Sequence, residues 1–90
     1  MSAEFVLPVA SELTMYGASW CPDCRVARRH LDSRGVQYTY VDLASEPAAQ
    51  AMLDAAGIRA IPVVVTQAGQ VLVEPSLSAL DAAIAGRVAA

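Results

Sequence analysis

The sequence predicts one small α/β domain with the element order β-α-β-α-β-β-α, in which a four-stranded mixed sheet packs with three helices. Three observations support this prediction. The length of 90 residues leaves room for a single hydrophobic core. Strand-like and helix-like segments alternate along the first two thirds of the chain, which is typical of parallel βαβ units. Two apolar runs then follow with a very short connection, which predicts an antiparallel hairpin.

The first βαβ unit extends from "ELTMYG" to "VQYTYVDL". The first strand is expected to end at Gly17. Pro22 fits a first helical turn, so the first helix should begin at Cys21 or just before it. Its apolar face is expected to comprise Val26, Ala27 and Leu31. Gly35 provides the helix stop, and the β-branched and aromatic run that follows predicts the second strand.

The second half of the chain contains two more helices around the hairpin. Ser45 is the expected N-cap of a helix that includes "AAQAMLDAA" and that Gly57 ends. "IPVVVT" and "QVLVE" form the two hairpin strands, with Gly69 in the turn. Ser76 or Ser78 can cap the last helix. The apolar residues of that helix at helical spacing are Leu77, Leu80, Ile84 and Val88.

The charge pattern restricts the possible partners and the compartment. The net charge is −3, and the arginines form no long basic run, so we expect neither nucleic acid nor a membrane as a partner. The start of the sequence lacks the basic and apolar segments of a signal peptide, so we expect a cytoplasmic protein. Because the cytoplasm keeps thiols reduced, a cysteine pair there is more often catalytic or metal-binding than a structural disulfide.

The two cysteines, Cys21 and Cys24, lie three positions apart at the predicted helix start. A helix N-terminus has unpaired N–H groups and a partial positive charge, which stabilise a thiolate at Cys21. The thiolate is the form that attacks disulfides. Cys24 lies one turn further on the same face and can resolve the resulting mixed disulfide. The spacing therefore predicts a redox-active dithiol in which both cysteines are catalytic.

Other interpretations of the pair stay open. A structural zinc site needs four ligands, and even with His30 this chain provides only three soft ligands, so no metal site is expected within one chain. A metal or iron–sulfur cluster shared by two chains would make the protein a non-enzymatic carrier. A redox-switched adaptor and a pair of inert buried cysteines are further alternatives.

Four features together resemble the thioredoxin-like redoxins: "WCPDC" after a strand, the βαβ unit, "IPV" before the hairpin, and the short last helix. The chain length points to the glutaredoxin type of this fold. "WCPDCRVARRHLDSRGVQYTYVDL" and "VEPSLSALDAAI" are similar to mycoredoxins and to the redoxins that reduce ribonucleotide reductase. We therefore expect a glutaredoxin-like domain over residues 12–90, preceded by an N-terminal extension, residues 1–11.

The resemblance implies which residues bind the substrate. Pro62 is expected to be cis and to face the cysteine pair, and the backbone of Ile61 is expected to pair with the substrate. Ser76 at the last helix N-terminus could hold a carboxylate, and Arg59 could hold another. The remaining expected contacts come from Trp20, which should mainly pack the active-site loop, and from Pro22.

The chain also departs from the family pattern. Glutaredoxins that bind glutathione usually have a lysine shortly before the first cysteine and a Gly-Gly-x-x-Asp segment before the last helix, where this chain has "ASW" and "EPSLS". We expect no bound cofactor, and we favour mycothiol over glutathione as the low-molecular-weight co-substrate. We expect a monomer. Its expected partners are disulfide-containing proteins and the system that reduces the cysteine pair again, which is either thioredoxin reductase or a low-molecular-weight thiol with its own reductase.

Asp23 is the unusual residue within the motif, because glutaredoxins commonly have tyrosine between the cysteines. Its carboxylate should oppose a second negative charge on Cys21 and so tune the acidity of the pair. This should shift the redox couple toward the reducing end of the range. Among the other polar residues, we expect Asp42 to cap a turn and the arginines of the first helix to be solvated, and His30 has no predicted role.

Overall fold

A computed structural model of the chain describes residues 13–89, with side chains described through residue 85. The predicted extension, residues 1–11, and the side chain of Val88 lie outside the described part. The elements in chain order are β1 (Leu13–Gly17), α1 (Pro22–Ser33), β2 (Tyr38–Asp42), α2 (Pro47–Ala55), β3 (Val63–Val65), β4 (Val71–Val73) and α3 (Leu77–Ala89). None of the helices within residues 13–89 is long and apolar enough to cross a membrane.

The four strands form one mixed sheet in the order β2-β1-β3-β4. β1 is a central strand: Thr14 pairs with Thr39 of the parallel strand β2 on one side and with Val65 of the antiparallel strand β3 on the other. β3 and β4 form the predicted antiparallel hairpin. The predicted element order and fold class are therefore confirmed.

Helices cover both faces of the sheet. On one face, Leu13 and Met15 pack against residues of α1 and α3; on the other, Tyr16 packs against residues of α2. Successive side chains of a strand point to opposite faces, so this arrangement buries every position of the central strands. The uninterrupted valine run of β3 follows from this two-sided burial.

The expected helix ends are largely confirmed. Gly35 and Gly57 follow α1 and α2 with φ values of 68° and 75°, the left-handed conformation that glycine adopts readily at a helix C-terminus. At the start of α3, the Ser76 hydroxyl accepts a hydrogen bond of 3.0 Å from the Ala79 N–H. Of the two serines proposed as caps for this helix, Ser76 is therefore the N-cap.

The prediction that Ser45 caps α2 is wrong. The N-cap residue is Glu46, whose side chain makes no capping hydrogen bond. The Ser45 hydroxyl instead donates to Asp42 Oδ2 at 3.0 Å, while Asp42 Oδ1 accepts from the Ala44 N–H at 3.1 Å. Asp42 thus caps the turn after β2, as expected, and in doing so engages the serine that would otherwise cap the helix.

Two residues assigned to apolar helix faces are in fact exposed. The buried residues of α1 are Cys24, Ala27 and Leu31, which follow the spacing of one helix face. Val26 lies about 100° around the helix from its neighbour in sequence and is 42% exposed. Leu77, the first residue of α3, is also 42% exposed. Both side chains line a groove beside the cysteine motif rather than the core.

A polar cluster joins α1 to α3. His30 Nε2 lies 2.8 Å from Asp81 Oδ1, and Arg34 donates to both oxygens of the same carboxylate at 2.9 and 3.3 Å. The pKa of the Asp81 carboxyl is lowered to about 2. The main cause is the hydrogen bonding from Arg34, and the second cause is the hydrogen bond with His30. His30, to which the sequence assigned no role, therefore helps to hold α3 against α1.

We predict that Asp81→Asn lowers the free energy of unfolding at pH 7 and that this effect disappears in acid. The folded-state pKa of Asp81 is depressed to about 2 from an ordinary value of 3.8, so the ionised carboxylate stabilises the fold above about pH 4. This contribution is lost as the pH falls from about 4 to about 2. Urea unfolding at several pH values, with Asp54→Asn as the control, measures the effect. A difference between Asp81→Asn and wild type that is independent of pH would contradict the prediction.

Candidate active site

The cysteine motif lies at the junction between β1 and α1. After Gly17, a tight turn is closed by the Cys21 N–H, which donates to the Ala18 carbonyl oxygen at 3.1 Å. Arg25 of α1 donates from Nη1 to the Ser19 carbonyl oxygen at 2.9 Å. Pro22 is the first residue of the helix, where its missing N–H leaves no hydrogen bond unmade. The motif is thus fixed between a central strand and a helix N-terminus.

Cys21 is the N-cap residue of α1 and has an extended backbone. Its Sγ accepts a hydrogen bond of 3.2 Å from the Cys24 N–H, one of the amides that a helix leaves unpaired in its first turn. An anionic sulfur accepts such a bond more strongly than a neutral one, and the positive end of the helix acts in the same direction. The Cys21 sulfur thus occupies the position of the cap at the start of α1.

Both cysteines are buried, but Cys21 retains 6% exposure whereas Cys24 has none. Burial is the main cause that raises the pKa of the Cys24 thiol to about 12. A hydrogen bond to the Cys21 sulfur and the charges of Cys21 and Asp23 also raise this pKa, whereas a backbone hydrogen bond from Ala18 lowers it. Both cysteines are free thiols. Burial thus disfavours the thiolate of Cys24, while the start of α1 provides an N–H donor to the Cys21 sulfur.

Gly17 provides the space for Cys24. A Cβ atom at this position would stand 2.9 Å from Cys24 Sγ, 3.2 Å from Cys24 Cβ and 3.4 Å from Cε1 of Tyr40. The Tyr40 ring in turn contacts α1 through Arg28, whose guanidinium carbon lies 3.8 Å from the ring centroid. Gly17 and Tyr40 were not predicted as site residues, since the sequence shows only a strand end and an aromatic strand residue.

The segment before β3 forms the opposite wall of the site. The Ile61–Pro62 peptide bond is cis, as the resemblance implied. Ile61 packs against the small cluster formed by Ala18, Cys21 and Cys24. This segment thus lies directly beside the pair.

Three of the residues predicted to bind substrate surround one recess. Trp20, Arg59 and Ile61 line a cavity of about 250 Å³, called here the apolar recess because most of its other lining residues are apolar. Trp20 is 70% exposed, so the expectation that it mainly packs the loop is wrong. Backbone hydrogen bonds and Arg25 already close this turn, which leaves the indole free to project into solvent.

The other predicted residues lie on the opposite side of the motif. Asp23, Pro62 and Ser76 line a groove of about 230 Å³ that also includes Glu74. The Ser76 hydroxyl is already engaged as the helix cap. Pro22 is exposed in the first turn of α1 and lines neither recess. Apart from Pro22, the predicted binding residues and Asp23 are therefore divided between these two recesses.

A metal ion would find few ligands in this region. Within the described residues, no three side chains of histidine, cysteine, aspartate or glutamate lie close enough together to hold an ion. The carrier alternative therefore needs ligands from a second chain.

The comparisons with known proteins agree with this architecture. The sequence model of the glutaredoxin family matches residues 13–72, so the chain belongs to the glutaredoxin family. With the Cys21–Cys24 pair at the helix N-terminus, it is a thiol-disulfide oxidoreductase. No curated protein matches the chain.

Several solved structures are similar. The glutaredoxin-like NrdH-redoxin from Escherichia coli, described as having a thioredoxin-like activity profile, is 29% identical with a TM-score of 0.59, over 61% of this chain and 72% of that chain. The glutaredoxin grx-1 from Archaeoglobus fulgidus is 22% identical with a TM-score of 0.67, over 81% and 85% of the two chains. Wheat glutaredoxin is 20% identical with a TM-score of 0.62, over 86% and 74%. The last two similarities establish the fold alone.

We predict that Gly17→Ala displaces Cys24 and destabilises the protein by about 1–3 kcal/mol, because a methyl group would overlap the buried sulfur. Urea unfolding measures this cost, and a disulfide-reduction assay should show slower release of product. The cost should shrink in a Cys24→Ala background, where the sulfur is absent. An equal cost in both backgrounds would show that the sulfur contact is not the cause.

Proposed function

We propose that this protein reduces disulfides of other proteins by a dithiol mechanism, with Cys21 as the nucleophile and Cys24 as the resolving thiol. The observation that supports this proposal is the contrast between the two sulfurs. Cys21 Sγ accepts an N–H bond at the start of α1, whereas the buried Cys24 thiol has a pKa of about 12. One sulfur is therefore available as a thiolate while the other remains protonated until it is needed.

The proposed reaction transfers two electrons from the pair to the substrate. The Cys21 thiolate attacks one substrate sulfur, which forms a mixed disulfide and releases the other substrate sulfur as a thiolate that takes up a proton. Cys24 then gives up its proton and attacks Cys21 Sγ, which breaks the mixed disulfide and releases the second substrate sulfur as a thiolate that takes up this proton. The products are a reduced substrate and a Cys21–Cys24 disulfide.

The proposed substrate contacts come from both recesses. We assign to the Ile61 backbone a strand-like pairing with the substrate chain beside Cys21, next to Pro62. The exposed Trp20 and the neighbouring Arg59 are proposed to contact the substrate from the apolar recess, with the indole as a stacking surface. Ser76, which lines the other groove, and Pro22, at the exposed start of α1, are proposed as further contacts.

For recycling of the oxidised pair, we propose either thioredoxin reductase or a mycothiol-type thiol rather than glutathione. The chain lacks the lysine and the Gly-Gly-x-x-Asp segment typical of glutathione-binding relatives. The E. coli NrdH-redoxin, at 29% identity, is described as thioredoxin-like in activity. NADPH oxidation coupled through thioredoxin reductase, a mycothiol system or a glutathione system identifies which reductant acts on the pair.

We predict that Cys21→Ser abolishes reduction of a protein disulfide and that Cys24→Ser stops after the first step. In Cys24→Ser the attack by Cys21 is retained, but no internal thiol resolves the product, so a mixed disulfide with the substrate accumulates. Mass spectrometry of the quenched reaction measures this adduct. Full reductase activity in Cys21→Ser would overturn the proposal, as would a Cys24→Ser variant that turns over normally without any added thiol. Metal analysis after anaerobic purification tests the carrier alternative.

A further inference from the structure

A groove beside the cysteine motif, called here the acidic groove, has a consistent charge. Its lining residues are Asp23, Val26, Ala27, Pro62, Glu74, Pro75, Ser76 and Leu77, around a volume of about 230 Å³. The two charged residues among them are both acidic. Asp23 belongs to the first turn of α1, between the cysteines in sequence, and Pro62 belongs to the segment that borders the pair. The groove thus shares the first turn of α1 and the Pro62 segment with the cysteine motif.

The groove also exposes apolar side chains. Val26 and Leu77 are each 42% exposed, although their positions in the sequence predicted burial. Together with the rings of Pro62 and Pro75, they form apolar walls around the two carboxylates. Exposed aliphatic side chains next to a polar rim are typical of a surface that a partner covers.

Glu74 is held in the groove by its backbone. Its N–H donates to the Pro62 carbonyl oxygen at 2.8 Å, which ties the end of β4 to the segment before β3. The φ angle of Glu74 is 50°, in the left-handed region that glycine adopts freely and that a residue with a side chain adopts at a cost. A carboxylate is thus present at a position where the backbone alone would favour glycine.

The charges of the acidic groove oppose an anionic ligand. α1 and α3 both begin at this groove, and the positive ends of helices ordinarily favour anions. Here Asp23 lies in the first turn of α1, and Glu74 lies three residues before α3, so each helix start already has a carboxylate of the chain beside it. The Ser76 hydroxyl is likewise engaged by the Ala79 N–H. A carboxylate on an incoming thiol would meet repulsion from both acidic side chains.

We infer that the acidic groove binds the polypeptide flank of a substrate disulfide and selects a flank with an arginine or lysine next to the attacked cysteine. Such a side chain matches both features of the groove. Its aliphatic stem can cover Val26 and Leu77, while its charged end lies near Asp23 or Glu74. The inference rests on the proposed function, because it concerns the protein disulfides that Cys21 would attack.

Three disulfide-linked peptides test the inference with pre-reduced full-length protein and no recycling system. The peptides are identical except for arginine, alanine or glutamate beside the cysteine that Cys21 attacks. Single-turnover rates should be highest for arginine and lowest for glutamate, with steps on the order of threefold, as exposed ion pairs provide. The differences should largely vanish near 1 M salt, where the screening length is about 3 Å.

Variants then assign the preference to the groove. Asp23→Asn and Glu74→Gln should each reduce the ratio of the arginine rate to the glutamate rate by about threefold. Asp54→Asn removes the same charge from α2, outside the groove, and should retain the full ratio. If Glu74→Gln does not fold, Glu74→Gly removes the same charge with a residue that suits the left-handed backbone.

The outcomes separate this inference from the proposed function. If none of the peptides is reduced, the proposed function fails. If all three are reduced at equal rates, the protein is a disulfide reductase and the inference about the groove is overturned. A preference for arginine that persists in both groove variants, or that disappears equally in Asp54→Asn, also overturns it, because the selectivity then comes from another surface or from net charge alone.

Discussion

The close contact between the Cys24 sulfur and the Gly17 backbone is the constraint on which the site depends. It brings the first turn of α1 onto the end of β1 and leaves no room for a side chain at that strand position. Cys24 also packs against Ala18, Cys21 and Ile61, and its burial is the main reason that its thiol has a pKa of about 12. Cys21, three residues earlier, is thereby placed at the helix start, where its sulfur accepts the Cys24 N–H. The positions of both sulfurs therefore depend on how closely α1 packs on the end of β1.

The rest of the fold holds this contact in place. β1 lies between β2 and β3; its pairing with β3 extends to Tyr16, and its last residue, Gly17, pairs with Asp42 of β2. α1 packs on the sheet through Ala27 and Leu31, and α3 joins it through the polar cluster around Asp81. The β3 segment brings Ile61 against the cysteines. Two recesses of different character lie beside this region, one with a mostly apolar lining and an arginine and one with two carboxylates.

Much of this arrangement could be predicted from the sequence. The cysteine spacing, Pro22 and the flanking strands identified the dithiol and its helix start, because these features depend on local geometry. The cis bond before Pro62 came from the resemblance to the redoxins and is present. Helix starts were less predictable. Ser45 and Ser76 are both reasonable caps in sequence, but Asp42 engages only the former.

The features that could not be predicted are those that depend on tertiary distances. Helical periodicity identifies apolar positions, but it does not distinguish a residue that packs in the core from one that lines a surface groove. Val26 and Leu77 were therefore assigned to buried helix faces, although both are exposed. A glycine at the end of a strand gives no sign that a sulfur lies 2.9 Å from its missing Cβ. The left-handed conformation of Glu74 likewise appears only when β4 and the Pro62 segment are seen together.

The most direct test of the central claim is an NMR titration of the reduced protein with ¹³C-labelled cysteine, in which the Cβ shift of each cysteine reports its ionisation. The contact with Gly17 and the burial of the sulfur predict that the Cys24 resonance stays at its thiol position through about pH 10 and moves only near a pKa of about 12. A Cys24 thiol that ionises near pH 8, like a free cysteine, would contradict the account, because the two sulfurs would then not differ in the way the structure requires.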